Sequence, residues 1–173
     1  MHITSCLFTY VLVLRRLIVI LALVLLSAPY LWAADKEPVK PGPGDKCPVC
    51  GMFVAKYPDF VAVLTFNDGT HAYFDGVKDM MKFYGNLQRY TPSKRPDDIV
   101  QIYVTDYYSL GLIDGFRAFY VSGSDIYGPM GREFIPFEKE ADAREFLKDH
   151  KGKAVLQFQD MNTEIVMKLD AHP

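Results

Sequence analysis

The stretch FVAVLTFNDGTHAYFDGVKDMMKFYGNL, residues 60–87, decides the fold. Residues 60–66 show an alternating pattern of side chains and are rich in residue types that favour β-strands. Both features are typical of a strand. Asn67-Asp68-Gly69 is a strong hairpin signal, and Thr70 to Phe74 returns as a second strand. The sequence therefore predicts a β-hairpin here.

A helix is predicted directly after the hairpin, from Val77 to Leu87. Asp75 stands where an N-cap is expected, because its carboxylate could accept a hydrogen bond from the first helical turn. Helical spacing puts five apolar residues on one face, namely Val77, Met80, Met81, Tyr84 and Leu87. A polar loop then leads to a strand from Ile99 to Thr105, so the predicted order is ββαβ.

The same order is predicted again further along the chain. A Gly-rich connection over residues 122–131 separates its first two strands, and its helix directs Ala141, Phe146 and Leu147 inward. The predicted elements are strands at Phe116–Val121 and Glu133–Phe137, a helix at Glu138–His150 and a strand at Ala154–Phe158. We therefore predict an α+β fold with two similar small ββαβ units.

The predicted units are residues 47–108 and 109–160, and residues 161–173 form a tail without assigned structure. An uncharged apolar run at residues 17–34 follows Arg15-Arg16. Residues 1–34 are therefore predicted to be a secretory signal, although the length of the run also suits an uncleaved membrane anchor. Either reading predicts that the following residues are exported. Residues 35–46 combine Pro, Gly and charges, as flexible linkers do.

Composition and missing motifs limit the possible functions. The chain has 173 residues, 50% of them hydrophobic, and its 19 basic and 21 acidic residues give a formal net charge of −2. A general nucleic-acid binder is excluded because there is no basic excess to neutralise phosphates. The sequence has no Ser-His-acid set, phosphate loop or HExxH motif, so we predict that the protein is not an enzyme.

The sharpest local feature is the motif CPVCGM, from Cys47 to Met52. Two thiolates and a thioether are soft donors, which select Cu(I) over cations that prefer oxygen ligands. Gly51 allows a tight turn that could bring Cys50 and Met52 onto one ion. Met130, on a Gly-Pro-Met-Gly turn, is a further candidate thioether ligand, with simple packing as its alternative.

Other uses of the cysteine pair stay open. A structural zinc site would need two more Cys or His ligands at matched spacing, and the sequence offers none. A redox dithiol usually opens a helix after a strand, whereas Cys47 follows a linker. A plain disulfide, in a structural interaction protein, is a third reading. His71 is interpreted as a hydrogen-bonded or solvent-facing histidine rather than a ligand.

Four stretches together resemble the NosL family of nitrous oxide reductase accessory proteins: CPVCGMFVAKYP, YFDGVKDMMKFY, VTDYYS and AFYVSGSDIYGPMGREFIPF. The resemblance implies a periplasmic copper chaperone of two ββαβ units that binds Cu(I) through Cys50 and Met52. Cys47, Met130 or a partner's side chain would complete the site. It also implies delivery of copper to the copper-sulfide centre of nitrous oxide reductase, together with a membrane ABC-type transporter complex.

Two features qualify this resemblance. Members of the family are commonly lipoproteins, but no cysteine closely follows the apolar run, so membrane attachment would depend on residues 17–34. The CPVCGM motif is also similar to the opening of short YHS-type metal-binding modules. A thiol-disulfide oxidoreductase and a general metal-binding protein are therefore the alternatives to a copper chaperone.

Overall fold

The computed structural model describes Arg16 and residues 40–171. Apart from Arg16, the predicted signal or anchor at residues 1–34 lies outside these residues, and so does most of the predicted linker. Within the described part of the chain, no helix is both long and apolar enough to cross a membrane.

The first half forms a four-stranded antiparallel sheet. The strands are β1 (Ala62–Phe66), β2 (His71–Phe74), β3 (Ile99–Thr105) and β4 (Leu112–Asp114), in the order β2-β1-β3-β4. The predicted hairpin is confirmed, with Thr65 opposite His71 and Gly69 at a φ of 81°, a conformation that favours glycine. The first strand begins later than predicted because Pro58–Phe60 is a 3₁₀ turn.

The predicted helix is divided into α1 (Val77–Gly85) and α2 (Leu87–Tyr90), which are separated by Asn86. Four of the five predicted inward residues are buried, and the fifth, Tyr84, is half-buried with its ring against Phe158. The N-cap prediction is wrong. The N-cap is Gly76, and the carboxylate of Asp75 instead accepts a hydrogen bond from Cys50.

The second half forms a three-stranded antiparallel sheet in the order β8-β5-β9. Its elements are β5 (Phe119–Ser122), the hairpin β6 (Tyr127–Gly128) and β7 (Gly131–Arg132), β8 (Ile135–Phe137), α3 (Glu140–Asp149) and β9 (Ala154–Gln157). In the first sheet β1 lies between β2 and β3, and the chain passes from β2 to β3 through α1 and α2. In the second sheet β5 lies between β8 and β9, and α3 connects these two strands. The predicted α+β class is confirmed. Ala141 is exposed, however, and Ala143 packs inward with Phe146.

The predicted tail contains a helix, α4 (Thr163–Asp170), which packs against α1. Asn162 caps it by accepting a hydrogen bond of 3.1 Å from the N–H of Ile165. Val166 and Leu169 are buried in the larger core cluster, which draws on both halves of the chain, including Tyr120 and Phe134. The division into units at residues 108 and 160 stays a prediction.

Candidate functional site

The CPVCGM loop turns back on itself through its backbone. The N–H of Cys47 donates to the carbonyl of Met52, and the N–H of Gly51 donates to the carbonyl of Cys47, each at 2.9 Å. Gly51 has a φ of 80°, a conformation that L side chains rarely adopt. Lys46 and Phe53 close the loop with an isolated antiparallel bridge. The two cysteines are thereby held at either end of one tight turn.

Two aspartates beside the start of α1 meet these cysteines. The thiol of Cys50 donates to Oδ1 of Asp75 at 3.2 Å, and the thiol of Cys47 donates to Oδ2 of Asp79 at 3.6 Å. One possible ligand atom from each of the four residues lies within 4.8 Å of the others. We call this group the Cys-Asp cluster. It joins the loop to Asp75, which follows β2, and to Asp79 in the first turn of α1.

The Cys-Asp cluster is mostly shielded from solvent. Asp75 is 1% exposed, Asp79 3% and Cys47 1%, whereas Cys50 is only partly buried. Oδ1 of Asp79 accepts a hydrogen bond of 3.2 Å from Nζ of Lys82. Among residues 40–171, however, Oδ2 of Asp75 is buried without a hydrogen-bond partner. Such an oxygen is costly in a protein interior, and a bound cation would satisfy it.

Burial raises the pKa of both thiols. It raises the pKa of Cys47 to about 11, and backbone hydrogen bonds within the loop only partly oppose it. The pKa of Cys50 is also raised far above its usual range, mainly by burial and in addition by the hydrogen bond to Asp75. Within residues 40–171 both cysteines are free thiols. A metal ion must therefore displace their protons at neutral pH.

The four residues predicted as ligands lie on two segments. Cys47, Cys50 and Met52 share the loop, where Met52 is partly buried. Met130 lies between β6 and β7 and is 44% exposed, and its carbonyl accepts a hydrogen bond of 2.8 Å from Nζ of Lys78 on α1. The Met130 turn is thus attached to the helix that carries Asp79. The ligand roles of these four residues stay predictions.

Sequence reasoning missed the carboxylates of the Cys-Asp cluster. It assigned Asp75 to a capping role, and it considered only Cys or His as further zinc ligands and only Met52 and Met130 as further copper ligands within the chain. The available signal was the spacing of Asp75 and Asp79, which are four residues apart at the start of an amphipathic helix. His71 accords with its predicted role, since Nδ1 is 3.0 Å from Oγ1 of Thr65.

Comparison with known proteins identifies a family that this chain matches. Residues 38–166 match the NosL family model. A protein of Stutzerimonas stutzeri named "Copper-binding lipoprotein NosL" is 29% identical over 143 residues, covering 76% of this chain and 70% of that protein. The crystal structure of the copper chaperone NosL from Shewanella denitrificans superposes with a TM-score of 0.63 at 21% identity, over 75% of this chain and 98% of that one. This structural likeness supports the fold.

Proposed function

The chain belongs to the NosL family, and from this premise we propose that it is an exported copper chaperone. In this proposal it binds Cu(I) and delivers it for the maturation of a copper enzyme, nitrous oxide reductase being the expected client. The Stutzerimonas stutzeri relative is named as copper-binding and the Shewanella denitrificans protein as a copper chaperone, which supports the copper assignment. Neither name describes an enzyme, in agreement with a carrier role.

The observation that carries the proposal is the pair of free thiols in one tight loop that ends in Met52. Thiolate and thioether sulfur are the donors that Cu(I) prefers. Cys50 and Met52 are the principal ligands, and Cys47 or Met130 completes a site of low coordination. Cys50 is the more accessible thiol of the pair, so an incoming ligand would reach the metal from its side. An incomplete ligand shell favours transfer to a client.

The dithiol alternative is less well supported. A thiol-disulfide oxidoreductase needs a reactive thiolate, which other proteins obtain by lowering the pKa of one cysteine. Burial raises the pKa of both Cys47 and Cys50. These thiols are therefore poor nucleophiles at neutral pH, whereas a metal ion could still displace their protons.

The test is an anaerobic titration of the reduced full chain with Cu(I) against a competing chelator. We expect one tight equivalent, lost in Cys50→Ser and weakened in Met52→Ala. Met167→Ala is the matched control because Met167, which is 59% exposed on α4, is not one of the predicted ligands. Full affinity in Cys50→Ser would overturn the site. No Cu(I) binding beyond the background of the chelator would favour the dithiol alternative.

Location and partners belong to the same proposal. We place the folded part in the periplasm, exported through residues 17–34, which would serve as a cleaved signal or as an inner-membrane anchor. The partners would be nitrous oxide reductase and an ABC-type transporter complex.

A deletion strain tests the proposed client. Cells that lack this chain should produce the reductase without its copper-sulfide centre. Wild-type protein should restore the centre, and Cys50→Ser should not. A complete centre in the deletion strain would exclude this client.

A further inference from the structure

We propose that a cavity in the second half of the chain binds a phosphate group that carries an apolar substituent. The cavity has a volume of about 370 Å³, which is in the range of small-molecule sites, and it lies where the end of β5, strand β7 and helix α4 meet. We call it the basic cavity. Its lining includes three cations, Arg132, Lys153 and Lys168, and three apolar residues, Phe134, Ile165 and Leu169.

The charge of the basic cavity is of one sign. Among residues 40–171, no acidic residue lines it, and neither Arg132 nor Lys153 forms a salt bridge. Lys168 pairs with Glu164 at 2.7 Å, but the two side chains are 71% and 73% exposed, and exposed pairs of this spacing are weak. Positive charges around a cleft attract anions more strongly than charges dispersed over a surface. The expected ligand is therefore an anion.

The guanidinium of Arg132 is held in place and still has an unused donor. Its Nη1 donates to the carbonyl of Ser124 at 3.2 Å, and its Cζ lies 5.5 Å from the centre of the Tyr127 ring. Its Nε is buried without a hydrogen-bond partner within residues 40–171. An unpaired buried donor is costly, and an anionic acceptor would satisfy it. The planar guanidinium presents its donors in a fork that fits two oxygens of one phosphate.

Gly123 determines where Lys153 lies. Gly123 has a φ of 73°, and a Cβ at this position would lie 2.8 Å from both Cγ and Cδ of Lys153. Because glycine has no side chain, the stem of Lys153 can cross the backbone here. The N–H of Lys153 also donates to the carbonyl of Ser122 at 2.8 Å. These contacts hold the stem of Lys153 at the edge of the basic cavity, so that its ammonium group is available to an anion there.

The apolar part of the lining narrows the class of anion. Phe134 is 0% and Leu169 8% exposed, and Ile165 is half-buried. A free phosphate ion would leave this apolar surface in water, whereas an alkyl or acyl substituent would cover it. Two sources share this chemistry, an anionic phospholipid and a soluble phosphate ester. The proposed location beside the inner membrane favours the phospholipid, and only this choice of source rests on the proposed function.

The experiment is a calorimetric titration of the reduced full chain in a buffer without phosphate. The ligands are dihexanoyl-phosphatidylglycerol and hexyl phosphate, and the ligand controls are dihexanoyl-phosphatidylcholine, which has the same acyl chains but no net charge, and inorganic phosphate. We expect Arg132→Gln and Lys153→Gln each to weaken saturable binding by about tenfold, because each removes a charge-assisted hydrogen bond. Lys139→Gln is the matched control, since it removes the same charge at an exposed position outside the cavity.

The two ligands distinguish the sources. Tighter binding of phosphatidylglycerol would identify a membrane lipid, and tighter binding of hexyl phosphate a soluble ester, and either result supports the site if the two cavity variants weaken it. Inorganic phosphate or phosphatidylcholine that binds as tightly as the better ligand would overturn the proposal. The same holds for an absence of saturable binding, or for an equal effect of Lys139→Gln. If Arg132→Gln fails to fold, Lys153→Gln and Lys168→Gln decide.

Cu(I) titrations of the same variants separate this proposal from the proposed function. Arg132 and Lys153 do not belong to the Cys-Asp cluster, so both variants should bind Cu(I) like wild type. Wild-type Cu(I) binding without binding of an organic phosphate would overturn the basic cavity as a site and leave the chaperone intact. Phosphate binding without Cu(I) binding in wild type would have the opposite meaning.

Discussion

Oε1 of Glu133 accepts a hydrogen bond of 2.5 Å from the backbone N–H of Lys78, and a second one of 2.9 Å from the N–H of Phe134. Lys78 lies in the first turn of α1. The N-cap of this helix is Gly76, which has no side chain that could accept a hydrogen bond. The carboxyl group of Glu133, from the segment between β7 and β8, satisfies this N–H instead. The helix that carries Asp79 is thereby fixed to the second half of the chain.

The first prediction concerns the pH dependence of stability. Burial raises the pKa of Glu133 to about 8, against the opposing effects of its two backbone hydrogen bonds and of Lys78. Between the ordinary glutamate pKa and this value, the folded protein holds a proton that the unfolded chain has lost. The free energy of unfolding should therefore fall as pH rises from about 4.5 to 8, by roughly 3–5 kcal/mol from this group.

Urea unfolding at a series of pH values would test this, with Glu133→Gln as the matched variant. Glutamine resembles the protonated acid in shape and does not titrate. The variant should therefore lose the decrease in stability over that range. A wild type and a variant with parallel pH profiles would contradict the prediction.

The second prediction concerns Gly76. A Cβ at this position would lie 2.1 Å from Oε2 of Glu133, so an alanine would displace that side chain from Lys78. We expect Gly76→Ala to lower the free energy of unfolding by about 1–3 kcal/mol. The control is Gly44→Ala, where a Cβ meets nothing within 4 Å. If steric contact is the cause, Gly76→Ala should cost less in a Glu133→Ala background, and an equal cost would contradict it.

Local sequence patterns were sufficient for the main elements but not for the caps between them. Strand β3 has the predicted bounds, and the β1–β2 hairpin follows from Asn67-Asp68-Gly69. The Asp75 cap failed because Glu133, 55 positions away from Lys78, provides the acceptor. Strands β4, β6 and β7 are too short to show a period of two. Helix α4 was missed although Asn162 is a standard cap residue.

The candidate site shows the same limit. The spacing of Cys47 and Cys50 identifies the loop, because both residues come from one short segment. Asp75 and Asp79 join them only through the packing of that loop against the start of α1, which separates the bonded partners by 25 and 32 positions. Motif spacing cannot report such a contact. The spacing of Asp75 and Asp79 was visible in the sequence, but their contact with the two thiols could be found only in the folded structure.

The third prediction concerns Asp106, which joins two parts of the fold. Its Oδ1 accepts hydrogen bonds from the N–H groups of Tyr108 and Ser109, and its Oδ2 accepts one of 2.8 Å from the N–H of Glu138. Asp106 is 4% exposed. Asp106→Asn replaces one acceptor oxygen by an amide donor, so we expect a loss of about 1–3 kcal/mol in the free energy of unfolding.

Acid titration distinguishes this role from a simple loss of packing. Burial raises the pKa of Asp106, but the hydrogen bonds from Ser109 and Glu138 lower it more, and the net pKa lies below the ordinary value. Stability from this carboxylate is present above the ordinary aspartate pKa and is lost as pH falls through the lower, folded value. Asp106→Asn should lack that acid loss, whereas the exposed control Asp97→Asn should retain it. Identical acid profiles for all three proteins would contradict the prediction.

The fourth prediction concerns the protons that Cu(I) displaces. Because burial raises the pKa of Cys47 to about 11 and that of Cys50 even further above its usual range, both thiols are protonated at neutral pH. Each thiol that binds Cu(I) as a thiolate should release one proton, so the logarithm of the affinity should rise by about one per pH unit for each ligating cysteine.

Calorimetry in buffers of different ionisation enthalpy would count the protons that are released when Cu(I) binds. Two in wild type and one in Cys47→Ser would make Cys47 a ligand, whereas one proton in both proteins would leave Cys50 as the ligating thiol. An affinity independent of pH would contradict thiolate ligation. The thiols are protonated at neutral pH, so a metal ion that binds a thiolate must release a proton.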